Sequence, residues 1–256
     1  MKTETIIGGL VVLLLLGVAG YFFLFKTSEQ VATQTPPATE SADETPIPVE
    51  PDGGIGDGAE PLDEMAATGM QVIGRSEGGN DIVAYHYGTG EKEILLVAGV
   101  HGAYAANTSQ LAHELNSYLE SATLPEDVRV TVIPVLNPDG LQKIYEVTDV
   151  VNGFSALRDH NATIPGRFNA NNVDLNRNFD CEWAPKSMWR SQEVSGGSAV
   201  FSESEAATLR DYVIAQDPVA AIVWFSAEGK VYPSACGGAP SSASTQLAST
   251  FAKAAG

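Results

Sequence analysis

Positive charge is the scarcest commodity in this chain. Only 14 of its 256 residues are Lys or Arg, against 32 Asp and Glu, which gives a formal net charge of -18 and a pI near 4.4. A nucleic-acid backbone is held by clustered cations that displace counterions. No basic patch occurs here, so nucleic acid is excluded as a partner. Cysteine is nearly absent as well. Cys181 and Cys236 allow one intramolecular bridge at most, which rules out a disulfide-built scaffold. Histidine is confined to His86, His101, His113 and His160, so any imidazole metal centre must draw on those four.

The composition divides the chain into three stretches: 1–26, 27–64 and 65–256. Residues 6–25 are twenty uncharged, mostly apolar positions between Lys2/Glu4 and Lys26. About 20 residues at 1.5 Å rise cross a hydrocarbon core of ~30 Å. Tyr21, Phe22, Phe23 and Phe25 gather at one end, and Tyr in particular favours the interface. The competing reading is a secretory signal, whose apolar region runs about 7 to 15 residues before a small-x-small cleavage site. Here the run passes straight into Lys26-Thr27-Ser28-Glu29, which favours an uncleaved single-pass anchor; Lys2 and Lys26 nearly cancel as orientation signals, and the disulfide-compatible domain and acidic tether favour the extracytoplasmic side. Residues 27–64 carry ten acids, no Lys or Arg, and almost no large apolar side chain. That composition describes a disordered, charge-extended linker holding the domain off the membrane.

From residue 65 the pattern is that of a folded domain, with 21 acids against 12 bases. Residues 81–87 alternate as a half-buried strand does, after a Glu77-Gly78-Gly79-Asn80 turn. Residues 94–100, ILLVAGV, form a continuous apolar run suited to a strand covered on both faces. The spacing of Leu111, Leu115, Tyr118 and Leu119 predicts a helix over 107–120. Residues 128–135 predict another strand, closed by the turn signal Asn137-Pro138-Asp139-Gly140. A helix over 202–215 follows, capped by Ser202 or Ser204 with Leu209, Tyr212 and Val213 inward, and residues 220–225 predict a further buried strand. The alternation predicts an α/β domain with a mixed, mostly parallel sheet covered by helices.

One segment presents chemistry. Val173-Asp174-Leu175-Asn176-Arg177-Asn178-Phe179 ends an apolar lead-in with an Asn-Arg pair, and a guanidinium fork matches the two oxygens of a carboxylate. The plain alternative is a surface Arg177 paired with Asp174 or Asp180. VDLNRNF follows LLVAGVHG and NPDG and precedes Val223-Trp224-Phe225-Ser226, and this order resembles the zinc carboxypeptidases, the carboxypeptidase A-like metallopeptidases. The likeness spans roughly residue 72 to the C-terminus. It implies a zinc held by a His after the first strand, a Glu three residues on and a later His before a Ser, with a downstream Glu as general base. A water would fill the open fourth position. Carried over, His101 matches the first ligand. Asn176 and Arg177 match the clamp on the substrate's terminal carboxylate. Arg167, ten residues before Arg177, matches the clamp's second Arg, with Arg158 as the alternative.

The departures fall on the metal. Tyr104 and Ala105 stand where an acid is required, Glu114 being the first acid downstream, and Phe225 stands where the second imidazole is required. A phenyl ring offers no lone pair, so zinc is expected to bind weakly or not at all. His86, His113 and His160 read as surface or capping residues, and Glu228, three residues past Phe225, is a weak candidate replacement. The chain also stops at Gly256, before the distance at which the family's base would lie. If that is the end, the sheet lacks its last strand and helix and exposes an edge that a partner would cover. Three functions follow from the resemblance: an inactive, membrane-tethered binder of ligands with a free carboxylate; an active metallocarboxypeptidase or amidohydrolase on peptides or cell-wall peptides; or the N-terminal portion of a longer enzyme.

Overall fold

A computed structural model describes residues 69–150, 158–226 and 228–256. The expected anchor and linker lie outside these residues. Among the described residues no helix is long and apolar enough to cross a membrane.

The centre is a five-stranded sheet in the order β1-β2-β4-β3-β7, with β1 Gly69–Arg75, β2 Asp81–Tyr87, β3 Lys92–Val97, β4 Val128–Ile133 and β7 Ala220–Val223. A separate hairpin pairs β5 Lys186–Trp189 with β6 Gln192–Ser195. The main sheet is mixed, as expected, but not mostly parallel. β1/β2 and β2/β4 run antiparallel, and only β3/β4 and β3/β7 run parallel. The reason is local: the Gly78-Gly79 turn closes a hairpin, where a parallel pair would need a long crossover.

The apolar run at 94–97 splits by strand period. Ile94 and Leu96 face one side, with Val128, Val130 and Val132, and pack under Ala112, Leu115 and Leu119 of α1 (Ala106–Leu119). Leu95 and Val97 face the other side and join Ile82, Ala84, Ile133, Leu175, Leu209 and Tyr212, the last two from α3 (Ser204–Gln216). The central strand is thus buried on both faces, as its unbroken hydrophobicity requires.

Several local expectations are corrected. Leu111 and Val213 are exposed, because Ala112 and Leu209 take the inward positions of their helices. The strand at 220–225 is not buried: β7 pairs only with β3, and Val223 and Phe225 are 40% and 47% exposed. Asn137-Pro138-Asp139-Gly140 begins a helix, α2 (Pro138–Tyr145), rather than a simple turn. Asn137 caps it by accepting from the Gly140 N–H, and Pro138 occupies the first turn, where its missing donor costs nothing. His86 is a core residue bonded to Thr131 and Gln71, not a surface one. A fourth helix, α4 (Ser242–Ala255), has no buried residue.

Helix α3 starts at neither predicted serine cap. Its N-cap, Glu203, makes no side-chain cap, because its carboxylate accepts from Asn169, Asn171 and Ser202. Beside it Glu205 is fully buried, accepting from Asn169 and the Glu77 backbone. Glu77, Glu203 and Glu205 bring carboxylate oxygens within 4.8 Å of one another. Asp139 adds its charge nearby, held below the usual carboxylate range because donors from Ser76, Asn80 and Gly78 outweigh its burial. Burial, reinforced by Asp139, pushes Glu205 up to about 7.

The folded Glu205 therefore keeps a proton that the unfolded chain, near 4.5, has released. Its contribution to stability is full below about pH 4.5 and is lost as pH rises through about 7. Urea unfolding should show on the order of 3 kcal/mol of stability lost to this group between about pH 5 and 8, and Glu205→Gln should flatten that slope. An unchanged slope in the variant would assign the effect elsewhere.

Candidate functional site

Strands β3, β4 and β7 are parallel, so the loops leaving their C-terminal ends converge on one rim, the usual place for a ligand in an open α/β sheet. His101 follows β3, Asn137 follows β4 and Phe225 follows β7. The register Val97↔Val223 and the Trp224 N–H to Val97 carbonyl bond bring the His101 and Phe225 rings to 5.3 Å between centroids. A 3-10 turn, Gly102–Ala105, turns Tyr104 back to the same place, 6.3 Å from the His101 ring. The turn requires glycine at its start. Gly102 has φ +45, and a Cβ there would lie 2.6 Å from the Gly166 carbonyl oxygen. The three positions that correspond to zinc ligands in the resemblance therefore do meet, as His101, Tyr104 and Phe225.

Asp174 lies at the back of the rim, with no solvent exposure. Its Oδ2 accepts from Nε and Nη2 of Arg167 at 3.0 and 2.8 Å, and its Oδ1 lies 3.5 Å from His101 Nε2. The second distance exceeds a hydrogen bond, and Nε2 is buried without a partner. Burial lowers the His101 pKa, with Asp174 opposing and Arg167 and Arg177 assisting, so the ring is neutral at neutral pH. Burial would raise Asp174, but His101 and the Arg167 charge outweigh it and hold the carboxyl below its usual range. Arg167 is itself 4% exposed, and its guanidinium is turned inward to Asp174.

Arg177 is different. Val173 bridges to Ser195, Leu175 is fully buried, and Asp174 caps the Leu175–Arg177 turn by accepting from the Asn176 N–H. Asn178 fastens the far end through the Gly196 and Ala199 carbonyls and Ser202. The turn so fixed leaves Asn176 exposed and Arg177 half-buried. Arg177 pairs with neither Asp174 nor Asp180: its Nε is buried without a partner, and Nη2 reaches only the Met188 carbonyl, at 3.5 Å. Its charge is nonetheless felt at both His101 and Arg167.

An aromatic layer covers this row. Tyr104 packs on His160 at 4.4 Å and edge-on against Trp189 at 5.2 Å, and Phe168 lies 6.3 Å from Trp189. The Arg167 guanidinium sits 4.4 Å from the Trp189 centroid, and that of Arg190 sits 5.2 Å from it. Trp189 ends β5, and a two-residue turn with Arg190 at φ 49 and Ser191 at φ 68 leads into β6. Such left-handed pairs match the twist of a hairpin. A Cys181–Cys236 disulfide ties the segment after Phe179 to the loop after β7.

The other candidates are not brought in. Arg158 donates its backbone N–H to the Tyr145 hydroxyl and lies over that ring. Glu114 is exposed on α1, and Glu228, also exposed, accepts from Tyr232. Among the described residues, the group of three or more His, Cys, Asp or Glu that could hold a metal is Glu77, Glu203 and Glu205, and His101 is not in it. Sequence reasoning missed Asp174, Trp189 and Arg190 as parts of the site. Asp174 was legible in principle, since a buried imidazole facing a ligand commonly has a carboxylate behind it. Trp-Arg-Ser-Gln carries no hairpin signal of the Asn-Gly kind, so nothing marked Trp189 or Arg190.

Comparison with known proteins agrees with this geometry. A family model described as zinc carboxypeptidase matches residues 63–253. Carboxypeptidase Z of Mus musculus is 32% identical over 123 residues, and that of Homo sapiens is 31% identical over the same length. Each match takes in 42% of this chain and 17% of the relative. The structure of carboxypeptidase A from Helicoverpa armigera superposes with a TM-score of 0.50 at 19% identity, over 64% of this chain and 42% of that one, a likeness of fold.

The buried Asp174–Arg167 pair makes a direct prediction. Asp174→Ala strands a buried guanidinium and should destabilise the fold by about 3–5 kcal/mol in urea unfolding. Adding Arg167→Met should recover a large share of that loss. A double variant as unstable as the single one would show that the charge pair is not the constraint.

Proposed function

The chain belongs to the zinc carboxypeptidase family, and from that premise we propose that it acts as a membrane-tethered recognition module for ligands with a free carboxylate, not as a peptidase. The carrying observation is Arg177, a half-buried guanidinium on a rigid turn whose Nε has no partner. Its Nη2 reaches only the Met188 carbonyl, at 3.5 Å, and a carboxylate arriving from solvent would supply a stronger, charge-assisted acceptor. Asn176 is exposed beside it to bond the same group. Arg167 stands behind, its own charge largely answered by Asp174, so it braces the site more than it grips the ligand.

Zinc is the metal expected from the family. The residues at the site do not fit it. His101 can offer a nitrogen, but Phe225 offers none, and Tyr104 is held in the ring layer by His160 and Trp189. Hydrolysis through a metal-bound water is therefore not assigned. The disulfide between Cys181 and Cys236 supports an oxidising, extracytoplasmic setting for the domain, with residues 6–25 as its anchor.

Elemental analysis of the full chain in detergent should find far less than one zinc per molecule, and peptides should keep their C-terminal residues on incubation. One zinc per chain, lost in His101→Ala, would overturn the reading in favour of an active hydrolase. In calorimetric titration, N-acetyl-Ala-Ala-Ala should bind at least roughly tenfold more tightly than its C-terminal amide, the ratio that one charge-assisted contact supports. Arg177→Gln should abolish the difference. Equal affinity for acid and amide in the unaltered protein would sink the carboxylate clamp.

A further inference from the structure

The guanidiniums of Arg167 and Arg190 lie over Tyr104 and Trp189, that of Arg177 reaches the Met188 carbonyl next to Trp189, and one carboxylate, Asp174, pairs with Arg167. Asp174 is committed to Arg167 and buried behind it. Elsewhere acids are abundant: residues 65–256 hold 21 against 12 bases. Among the described residues, no carboxylate lies within ion-pair distance of Arg177 or Arg190. Two arginines without a carboxylate partner thus lie close together at the rim of an acidic protein.

Arg190 is the less expected member. Its hydrogen-bond partner is a second base, His160, at 3.0 Å from Nη2 to Nε2. A guanidinium can only donate, so Nε2 is the bare nitrogen and the ring proton sits on Nδ1. The arrangement gains cation-π attraction from Trp189 and Tyr104, with the charge 5.2 and 5.7 Å from the two centroids, but it leaves the cation without an anion. Nor is Arg190 aimed by chance. It occupies the left-handed region at φ 49, next to Ser191 at φ 68, in a turn clamped between two paired strands. Arg177 touches that same hairpin through the Met188 carbonyl. Met188 and Arg190 are two residues apart in that hairpin, so Arg177 and Arg190 meet it at neighbouring positions.

We propose that Arg190, steadied by the bare Nε2 of His160 over the Trp189–Tyr104 platform, is a second anion subsite, and that the ligand is a peptide ending in an acidic residue. In this arrangement the terminal carboxylate goes to Arg177 and Asn176, and the side-chain carboxylate of a C-terminal Asp or Glu goes to Arg190. The proposal rests on the Arg177 clamp described above and adds to it the identity of the terminal residue.

The test titrates the full chain, in detergent, with N-acetyl-Ala-Ala-Glu, N-acetyl-Ala-Ala-Gln and the amide of the latter. The Glu peptide should bind roughly tenfold more tightly than the Gln peptide, as an added charge-assisted contact allows. Arg190→Gln should erase that ratio while the preference for the free acid over the amide remains. His160→Ala, at an exposed position, should reduce the ratio without abolishing the free-acid preference. Unchanged thermal unfolding midpoints would confirm that both variants fold. Equal binding of the Glu and Gln peptides, or a ratio that survives Arg190→Gln, overturns the second subsite and leaves the clamp standing. Loss of the acid-over-amide preference in the unaltered protein removes the clamp itself, and absence of measurable binding by any of the three peptides overturns both.

Discussion

The site depends on one carboxylate. Asp174 is fully buried, accepts twice from Arg167, faces His101 and caps the turn that carries Asn176 and Arg177. A buried charge is tolerated only when it is paired and bonded, so its partners are fixed in position as surely as it is. Leu175, the next residue, is driven into the core beneath the sheet. The alternation of a buried acid, a buried Leu and an outward Asn-Arg pair is what turns a short segment into a rigid ledge.

On that ledge the two arginines have opposite fates. Arg167 faces inward, neutralised and stacked on Trp189. Arg177 is half-buried, and no carboxylate among the described residues pairs with it. The same residue type is thus paired in one place and unpaired in the other, and the difference lies in which one Asp174 reaches. Opposite the ledge, rings have taken the places where ligand atoms for a metal would be expected. Tyr104 and Phe225 pack at the positions where the resemblance expects a carboxylate and an imidazole respectively, and they lower the local polarity around His101. A weakly screened guanidinium beside apolar rings attracts an anion more strongly than one in open solvent.

Much of this was legible in the residues. The apolar run at 94–97 required burial on both faces, and the sheet supplies it. VDLNRNF stands out by its Asn-Arg pair, and the order of HG, NPDG and VDLNRNF points to the family. Less visible were the features that depend on partners far away in sequence. NPDG read as a turn because Asn, Pro and Gly favour turns, yet the same residues suit a helix start, and only the packing of Gly140 against Gly166 decides between them. Val213 and Leu111 sit on the boundary between the two faces of their helices, where periodicity alone cannot choose. The long-range carboxylate network of Glu77, Asp139, Glu203 and Glu205 joins three separated segments and left no local signature.

By itself the sequence determined the family and the α/β alternation, and it singled out Asn176, Arg177, Tyr104 and Phe225 as positions of interest, because these follow from residue type and local spacing. Tertiary structure alone decided which arginine is answered and which is free, the placement of Trp189 and Arg190 over the cleft and the pairing of Cys181 with Cys236. The physical reason is the range of the interactions. Strand and helix periods are properties of neighbours along the chain, whereas an ion pair is settled by which opposite charge the fold brings within about 4 Å.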